Sequence, residues 1–284
     1  MISFIVNTYN RESVLIENLH NMKVLGKSVE IVVVDDHSTE NTEAQMKDFI
    51  KNNTDIRIKY IRNESNQGYA KSMNIGIESS SSDFVFILND DVFINNPTSF
   101  VKIVEDRIRI GNIVTTRLET ECKLSQIQQA KTLLYSIPAQ IFAGEIYNYN
   151  NLKTRYVKYG NNALGFDKKA LKLLFDDRNF AGNFFRIESD FQCRARLLGF
   201  KIFYDPRLLI LHKDVSIGGL RQGSKNRFLY WCIYNHIIFL RKNSGPAKYH
   251  KIMFYFLLKS VSHPVRIKTV FIAFSNAFKA KIKN

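Results

Sequence analysis

The stretch Glu30-Ile-Val-Val-Val-Asp-Asp-His-Ser38 decides the fold. Ile31, Val32, Val33 and Val34 follow one another without a polar interruption. A strand of that kind is buried on both faces, as in a parallel sheet covered by helices. The run stops on two carboxylates, an imidazole and a hydroxyl, residue types that form turns and carry chemistry. The pattern therefore places polar groups at the carboxyl end of a buried strand.

The same grammar repeats outward from this stretch. Residues 2–6 form an apolar run of strand length, followed by the polar turn Asn7-Thr8-Tyr9-Asn10. Val14, Leu15, Asn18, Leu19 and Met22 then recur at helical spacing, which predicts a helix over 13–22. In the other direction the pattern predicts a helix over 41–50 with Thr42 as its cap, and a strand over 56–61. A helix over 70–78 and a strand over 84–88 follow, the last running into Asn89-Asp90-Asp91. Strands alternating with helices imply an α/β fold with a mostly parallel sheet and right-handed crossovers. Ligands of such sheets bind beyond the carboxyl ends of the strands. Three polar clusters stand at that edge here.

Residues 7–12, Asn-Thr-Tyr-Asn-Arg-Glu, contain no glycine, so neither a dinucleotide fingerprint nor a phosphate-cradling P-loop is present. The edge offers carboxylates instead: Asp35 suits a base or ribose, and Asp90 and Asp91 suit a hard cation. A nucleotide diphosphate held through Mg²⁺ or Mn²⁺ fits that donor set.

The chain of 284 residues is 45% apolar, with 41 Lys+Arg against 26 Asp+Glu, a formal charge of +15. No acid follows Asp214, so a charge-balanced front is joined to a cationic, aromatic tail. Cys122, Cys193 and Cys232 are far apart and lack metal-ligand spacing, which suits buried thiols in a reducing compartment. The apolar run opens at Ile2 with no basic segment or cleavage site before it, and no stretch has the length of a spanning helix. These features set the expectation of a cytoplasmic protein.

Five blocks follow one another along the chain: Ile2-Ser-Phe-Ile-Val-Asn-Thr-Tyr-Asn-Arg11, Ile31-Val-Val-Val-Asp-Asp-His-Ser38, Asn66-Gln-Gly68 with Asn74, Leu88-Asn-Asp-Asp-Val92, and Glu188-Ser-Asp-Phe-Gln-Cys-Arg194 with Gly199 and His212. In this order they resemble inverting family 2 glycosyltransferases of the A type. The Asn-Asp-Asp form and Lys225-Asn-Arg-Phe228 look closest to the bacterial rhamnosyl- and galactofuranosyltransferase-like branch. The resemblance covers residues 2–215. It implies a catalytic domain over residues 1–215, with a nucleotide-sugar half to about 115 and an acceptor half beyond it, and a basic helical region over 216–284.

Carried over by position, the resemblance implies that Thr8, Tyr9 and Asn10 line the base and ribose pocket. It implies that Asp35 accepts from a uracil or thymine imide with Asp36 beside it, and that Lys71, after the Gly68 turn, neutralises a phosphate. Asn89, Asp90 and Asp91 stand where the family has Asp-x-Asp, with Asp91 the metal ligand and Asn89 a departure that lowers metal affinity. His212 matches a histidine that some members use as a second ligand. Glu188 matches the catalytic base, and Asp190 a supporting or acceptor-positioning residue. Ser189 and Gln192 read as a capping box that opens a helix just after Glu188 and ends it at Gly199. The implied donors are UDP-, dTDP- or GDP-sugars, and the implied acceptor is a saccharide or a lipid-linked saccharide.

Each residue also has a plainer reading. Asp35-Asp36 and Asn89-Asp90-Asp91 suit ordinary turns, and Glu188 a solvated helix start. His212 suits a structural strand end, and Lys71 the surface. Trp231, Tyr230 and Tyr234 suit a core or an interface better than a sugar platform.

The tail reads as helices over 226–242, 248–260 and a third through Phe278, with Val270, Phe271, Phe274 and Phe278 on one apolar face apart from Lys268, Lys279 and Lys281. Apolar residues opposite lysines suit the anionic inner face of a membrane. Packing on the catalytic domain or on a second subunit is the other use of that face. Nucleic-acid binding is not expected, because no recognition module is present. The rival functions are a sugar-1-phosphate nucleotidyltransferase, which would want a glycine-rich triphosphate loop, and a non-catalytic basic adaptor, which would leave the five blocks without purpose.

Overall fold

The computed structural model describes residues 1–120, 152–213 and 224–283. Cys122 and residues 126–130 and 147–151 lie outside the described residues. Among the described residues, 1–120, 152–175 and 191–213 form one compact unit, and 176–190 with 224–283 form a second.

The first unit opens with β1 (Ile2–Thr8), α1 (Glu12–Met22), β2 (Glu30–Asp35), α2 (Glu40–Asn52), β3 (Arg57–Arg62), α3 (Tyr69–Ser79) and β4 (Phe84–Asn89). The expected alternation holds to within two residues at each boundary. The cap of α2 is Thr39 rather than Thr42, whose buried hydroxyl lies inside the helix. β1 lies between β2 and β4, with β3 outside β2, and all three pairings are parallel. The register sets Thr8 beside Asp35 and Asn7 beside Asn89, so the polar clusters end on one edge.

The unit continues through β5 (Val92–Ile94), α4 (Pro97–Arg109), β6 (Asn112–Thr120), β7 (Arg155–Val157), β8 (Leu164–Asp167), α5 (Lys168–Leu171), α6 (Ile187–Leu197) and β9 (Lys201–His212). The division between the two units falls inside α6. The sheet order is β3-β2-β1-β4-β8-β6-β9-β5, with β7 on β9. This half is mixed: β8 is antiparallel to β4 and β6, β6 is parallel to β9, and β5 and β7 are antiparallel to β9. Beneath the sheet Phe4, Phe86 and Phe100 pack together, with ring centroids 5.1 Å apart for Phe86 and Phe100. Each fully buried phenylalanine contributes about 1.5–3 kcal/mol through burial.

β9 bends in the middle, and the bend matters for the site. Its pairing with β6 jumps from Thr116–Asp205 to Arg117–Leu209, leaving Pro206, Arg207 and Leu208 as a bulge. Proline suits a bulge because it has no N–H to give to a ladder. The buried Asp205 carboxylate accepts from Arg207 Nε at 2.9 Å and fixes the turn. Beyond it the strand runs back along β5 and sets His212 opposite Val92.

The second unit contains α7 (Lys225–Asn243), α8 (Lys248–Ser262) and α9 (Ile267–Lys279), matching the three tail helices expected. Pro246 and Pro264 stand in the short 3₁₀ turns that separate them. α9 packs on α7, and its buried residues are Val270, Ala273 and Ala277. The expected face is thus corrected: Val270 lies on the packed side, whereas Phe271 and Phe278 are exposed on the other. Small side chains let two helices approach closely, so the alanines take the packed side, while the Phe271 and Phe274 rings meet Phe256 of α8 at 5.0 and 4.6 Å. No described helix is long and apolar enough to cross a membrane. Cys193 and Cys232 are free thiols.

Candidate active site

At the shared edge of β1, β2 and β4 the polar residues divide into three groups. The first is an ionic cluster. Arg11, just before α1, donates from one guanidinium nitrogen to Asp90 Oδ1 at 3.0 Å and to Asp91 Oδ2 at 2.7 Å. Thr8, the last residue of β1, donates its hydroxyl to Asp90 Oδ2 at 2.8 Å. Asn18 reaches from α1 to the Asp90 and Val92 carbonyls at 3.0 and 2.9 Å. All these side chains are buried. Burial pushes the Asp90 carboxyl up to about 6; Arg11 pulls it down and the Asp91 charge adds to the rise. Burial also opposes the Arg11 charge, but Asp90 and Asp91 outweigh it and raise its pKa.

Asp91 keeps one buried oxygen, Oδ1, without a partner among the described residues. Its other oxygen is 3.6 Å from His212 Nε2, which the β9 bend delivers. The structure therefore brings together the two residues expected to hold a metal. Among the described residues no group of three or more His, Cys, Asp or Glu is arranged to bind a metal ion. Asn89 Oδ1 is a second buried acceptor without a partner among the described residues.

The second group surrounds Asp35. This wholly buried carboxylate accepts from the Ser38 N–H at 2.7 Å and the Tyr60 hydroxyl at 2.6 Å. Burial and that bond hold the Tyr60 phenol protonated well above its ordinary pKa. Each Asp35 oxygen has capacity for a second donor, but the first is already present. Asn10 has a left-handed backbone, φ 53°, and is pinned to the next loop by Ser38 Oγ at 2.8 Å and the Thr39 N–H at 3.1 Å. Tyr9 is half-buried beside it.

The third group belongs to Asp36, whose oxygens accept from Asn63 Nδ2 and from the Gln67 and Gly68 N–H groups at 2.7–2.9 Å. These bonds give Asp36 a task inside the protein, holding the loop that leads into α3. Gly68 sits there at φ 83°, a conformation that favours glycine. Lys71, one turn on, is exposed and bonds Gln67 Oε1 at 2.6 Å.

Glu188 and Asp190 belong to the second unit. α6 begins at Ile187, so Glu188 lies within its first turn rather than before it. The expected capping box is not formed: Gln192 is buried and accepts instead from the Gly160 N–H. Glu188 is half-buried, and Asp190 is wholly buried, ion-paired to Lys242 and bonded to Asn243 at 2.9 Å. The segment before Glu188 is strapped to α7. Asn235 exchanges hydrogen bonds with Ala181 at 2.8 and 3.1 Å, Arg186 Nε donates to His236 Nδ1 at 3.0 Å, and Lys242 pairs with Asp176. Phe184 and Arg186 are left-handed, φ 51° and 75°, a backbone strain of about 1–3 kcal/mol each that the strapping must hold. Trp231 covers Gly182, whose φ is 64° and whose added Cβ would meet the indole at 2.2 Å. Gly182→Ala is expected to destabilise the protein by about 1–3 kcal/mol. An unchanged melting temperature would mean that Trp231 yields freely.

The sequence reading missed Arg11, Asn18 and Tyr60. Asn18 left a trace as an amide inside the apolar stripe of α1. Arg11 was quoted in a motif without a role, because its partners lie 79 and 80 positions away.

Residues 3–190 match the family model Glycosyl transferase family 2. The poly-beta-1,6-N-acetyl-D-glucosamine synthase of Staphylococcus epidermidis is 26% identical over 267 residues, covering 90% of this chain and 60% of that protein. The chain thus spans less than two thirds of that relative. A Campylobacter jejuni GalNAc(5)-diNAcBac-PP-undecaprenol beta-1,3-glucosyltransferase is 36% identical over 94 residues, 32% of this chain and 29% of that one. Among solved structures, the Pyrobaculum calidifontis mannosyltransferase PcManGT in complex with GDP-Man and Mn²⁺ superposes with a TM-score of 0.59 at 14% identity, over 99% of this chain and 76% of that one. Residues 1–349 of S. aureus TarS in complex with UDP-GlcNAc give a TM-score of 0.59 at 16% identity, over 97% and 81%. These likenesses establish the fold, an α/β sheet flanked by helices with a helical C-terminal region. The family match extends through the β1, β2 and β4 strand ends to the first turn of α6, and on that ground the chain belongs to glycosyl transferase family 2.

Proposed function

We propose that this chain transfers a sugar from a nucleotide diphosphate donor to a saccharide or lipid-linked saccharide in cell-surface polysaccharide synthesis, inverting the anomeric centre. The observation that carries the reading is Asp91, buried at the ligand edge of the sheet with one oxygen unpartnered among the described residues and His212 beside the other. The two side chains fit Mg²⁺ or Mn²⁺ as partial ligands, with diphosphate and water oxygens completing the shell. A bound ion of this kind stabilises the charge that the leaving diphosphate gains. Arg11 and Thr8 hold the two carboxylates in place. Tyr9, Asn10 and Asp35 line the nucleotide, and Lys71 supplies a positive charge to it. Glu188 takes the proton of the acceptor hydroxyl, and a single base opposite the leaving group gives inversion. Asp190 supports that base from inside the protein.

The complexes named for PcManGT and TarS, with GDP-Man and Mn²⁺ and with UDP-GlcNAc, support a nucleotide-sugar donor. The names of the synthase and glucosyltransferase relatives support a polysaccharide or lipid-linked acceptor. The Asn-Asp-Asp form and the Lys225–Phe228 tetrapeptide favour the rhamnosyl-/galactofuranosyltransferase-like branch. The same proposal keeps a catalytic domain over 1–215 and sets the enzyme on the cytoplasmic face of the cell membrane, through its cationic region 216–284.

A thermal-shift panel of UDP-, dTDP- and GDP-sugars with and without Mn²⁺ tests the reading, because a ligand of the native state raises its melting temperature. One base class is expected to stabilise the protein, chiefly with metal. Failure of the whole panel would sink the donor assignment. Asp91→Asn should lose the metal-dependent part of donor affinity, by at least the 10–100-fold range typical even of outer-shell changes (about that order). Calorimetry with Mn²⁺ showing unchanged affinity would move the metal elsewhere.

A further inference from the structure

α8 presents Tyr249, Met253, Leu257 and Val261 to solvent, each four residues after the last and each more than half exposed, with Met253 at 62% and Val261 at 80%. Four-residue spacing sets them in one row along the helix. On α9, Ile267, Phe271 and Phe278 form a second row, and the exposed Lys268 and Lys279 border it. The rows approach each other where the Tyr249 and Phe278 rings are 6.3 Å apart. Most of the buried packing of the unit lies on other residues, although the Phe271 ring meets Phe256 edge-on at 5.0 Å. Ile252 and Tyr255 are the buried residues of α8, and Val270, Ala273 and Ala277 those of α9. A continuous apolar surface of this kind marks a binding face.

Charge selects the occupant. Lys248, Lys251, Lys259, Arg266, Lys268 and Lys279 lie in or between the two helices, and no acidic residue follows Asp214. A second copy would bring the same cationic rim against this one, and like charges repel. An anionic bilayer offers both complements: acyl chains for the apolar rows and lipid phosphates for the lysines.

We propose that α8 and α9 form a lipid-docking face, in which the Tyr249/Met253/Leu257/Val261 and Phe271/Phe278 rows enter the headgroup boundary of an anionic membrane while Lys268 and Lys279 meet its phosphates. This face deepens the membrane part of the functional reading and rests on it, but not on the sugar-transfer part. It makes docking more than surface charge. Charge alone is screened by salt, whereas inserted side chains leave a salt-resistant fraction.

The test is co-sedimentation with vesicles of phosphatidylcholine alone and of phosphatidylcholine with phosphatidylglycerol, together with light scattering of the free protein. The chain is expected to bind the anionic vesicles, with a fraction that survives high salt. The triple variant Met253→Gln/Leu257→Gln/Val261→Gln should bind about tenfold more weakly or worse and lose that fraction. Lys268→Glu/Lys279→Glu should lose about tenfold or more, and only on anionic vesicles. Both variants alter exposed positions, so the melting temperature and Mn²⁺-dependent donor binding should match the parent. A parent chain that binds neither vesicle overturns the face and the membrane reading together. Undiminished binding by the triple variant overturns the face and leaves the membrane reading standing. A parent dimer that the triple variant dissociates makes the face a subunit interface and overturns the lipid assignment.

Discussion

Glu188→Gln is expected to lower turnover by about 10²-fold or more, the scale of removing a general base, while donor affinity should change less than about threefold. The amide keeps the size of the side chain and its place in the first turn of α6 and removes its basicity. A residue that acts on the acceptor proton has no share in ground-state donor binding, so the effect should fall on kcat. Asp190→Asn is the control. Its carboxylate is wholly buried against Lys242 and Asn243, and neutralising it leaves the ammonium with a weaker partner. A lowered melting temperature is the expected result, with activity reduced partly through that loss of stability. Near-normal transfer by Glu188→Gln beside a folded, inactive Asp190→Asn would exchange the two roles.

Arg11→Ala should destabilise the first unit by about 3–5 kcal/mol near neutral pH, because it strands two buried carboxylates without their shared counter-charge. The loss should also depend on pH in a stated direction. Asp90 titrates at about 6 in the folded protein, above its ordinary 3.8. The native state therefore holds a proton that the unfolded chain releases between those values. This contribution to stability is fully present below about pH 4 and is lost as the pH rises through about 6. Without Arg11 the Asp90 carboxyl rises further. Denaturant unfolding of the variant at about pH 7.5 and about pH 5 should then show a smaller deficit at the lower pH. Equal deficits would mean that packing around the Arg11 stem, rather than stranded charge, carries the loss.

The parallel half of the sheet was legible because local pattern and tertiary role agree there. Ile31 to Val34 are apolar without alternation and lie inside a sheet covered on both sides, as the pattern requires. The mixed half was not legible. β7 and β8 are three and four residues long, and β9 turns on a bulge at Pro206 that joins two pairings in one strand. No periodicity describes a strand that changes partners. The site shows the same division. The strand-end residues Thr8, Asp35, Asp90 and Asp91 were readable, since a strand's carboxyl end is a local feature. The tie from Arg11 to the two carboxylates was not, because only the folded sheet sets those positions side by side. The start of α6 was misplaced for a related reason: Ser189 and Gln192 have capping-box spacing, but Gly160 takes the Gln192 side chain.

The allotment of residues 176–190 to the helical unit bears on how this protein can be cut and recombined. The stretch that ends in Glu188 and Asp190 depends on Asn235, His236, Lys242 and, at the far end of the chain, Lys283, whose backbone exchanges hydrogen bonds with the Asn179 amide. A graft that ends at residue 215 would take Glu188 away from its supports. A chimera that replaces the C-terminal helices would leave the same segment facing unfamiliar side chains. The portable piece is discontinuous: the helices from Lys225 onward must travel with residues 176–190. Exchange among relatives should therefore tolerate junctions in the parallel half of the sheet more readily than any junction that parts that loop from its helices.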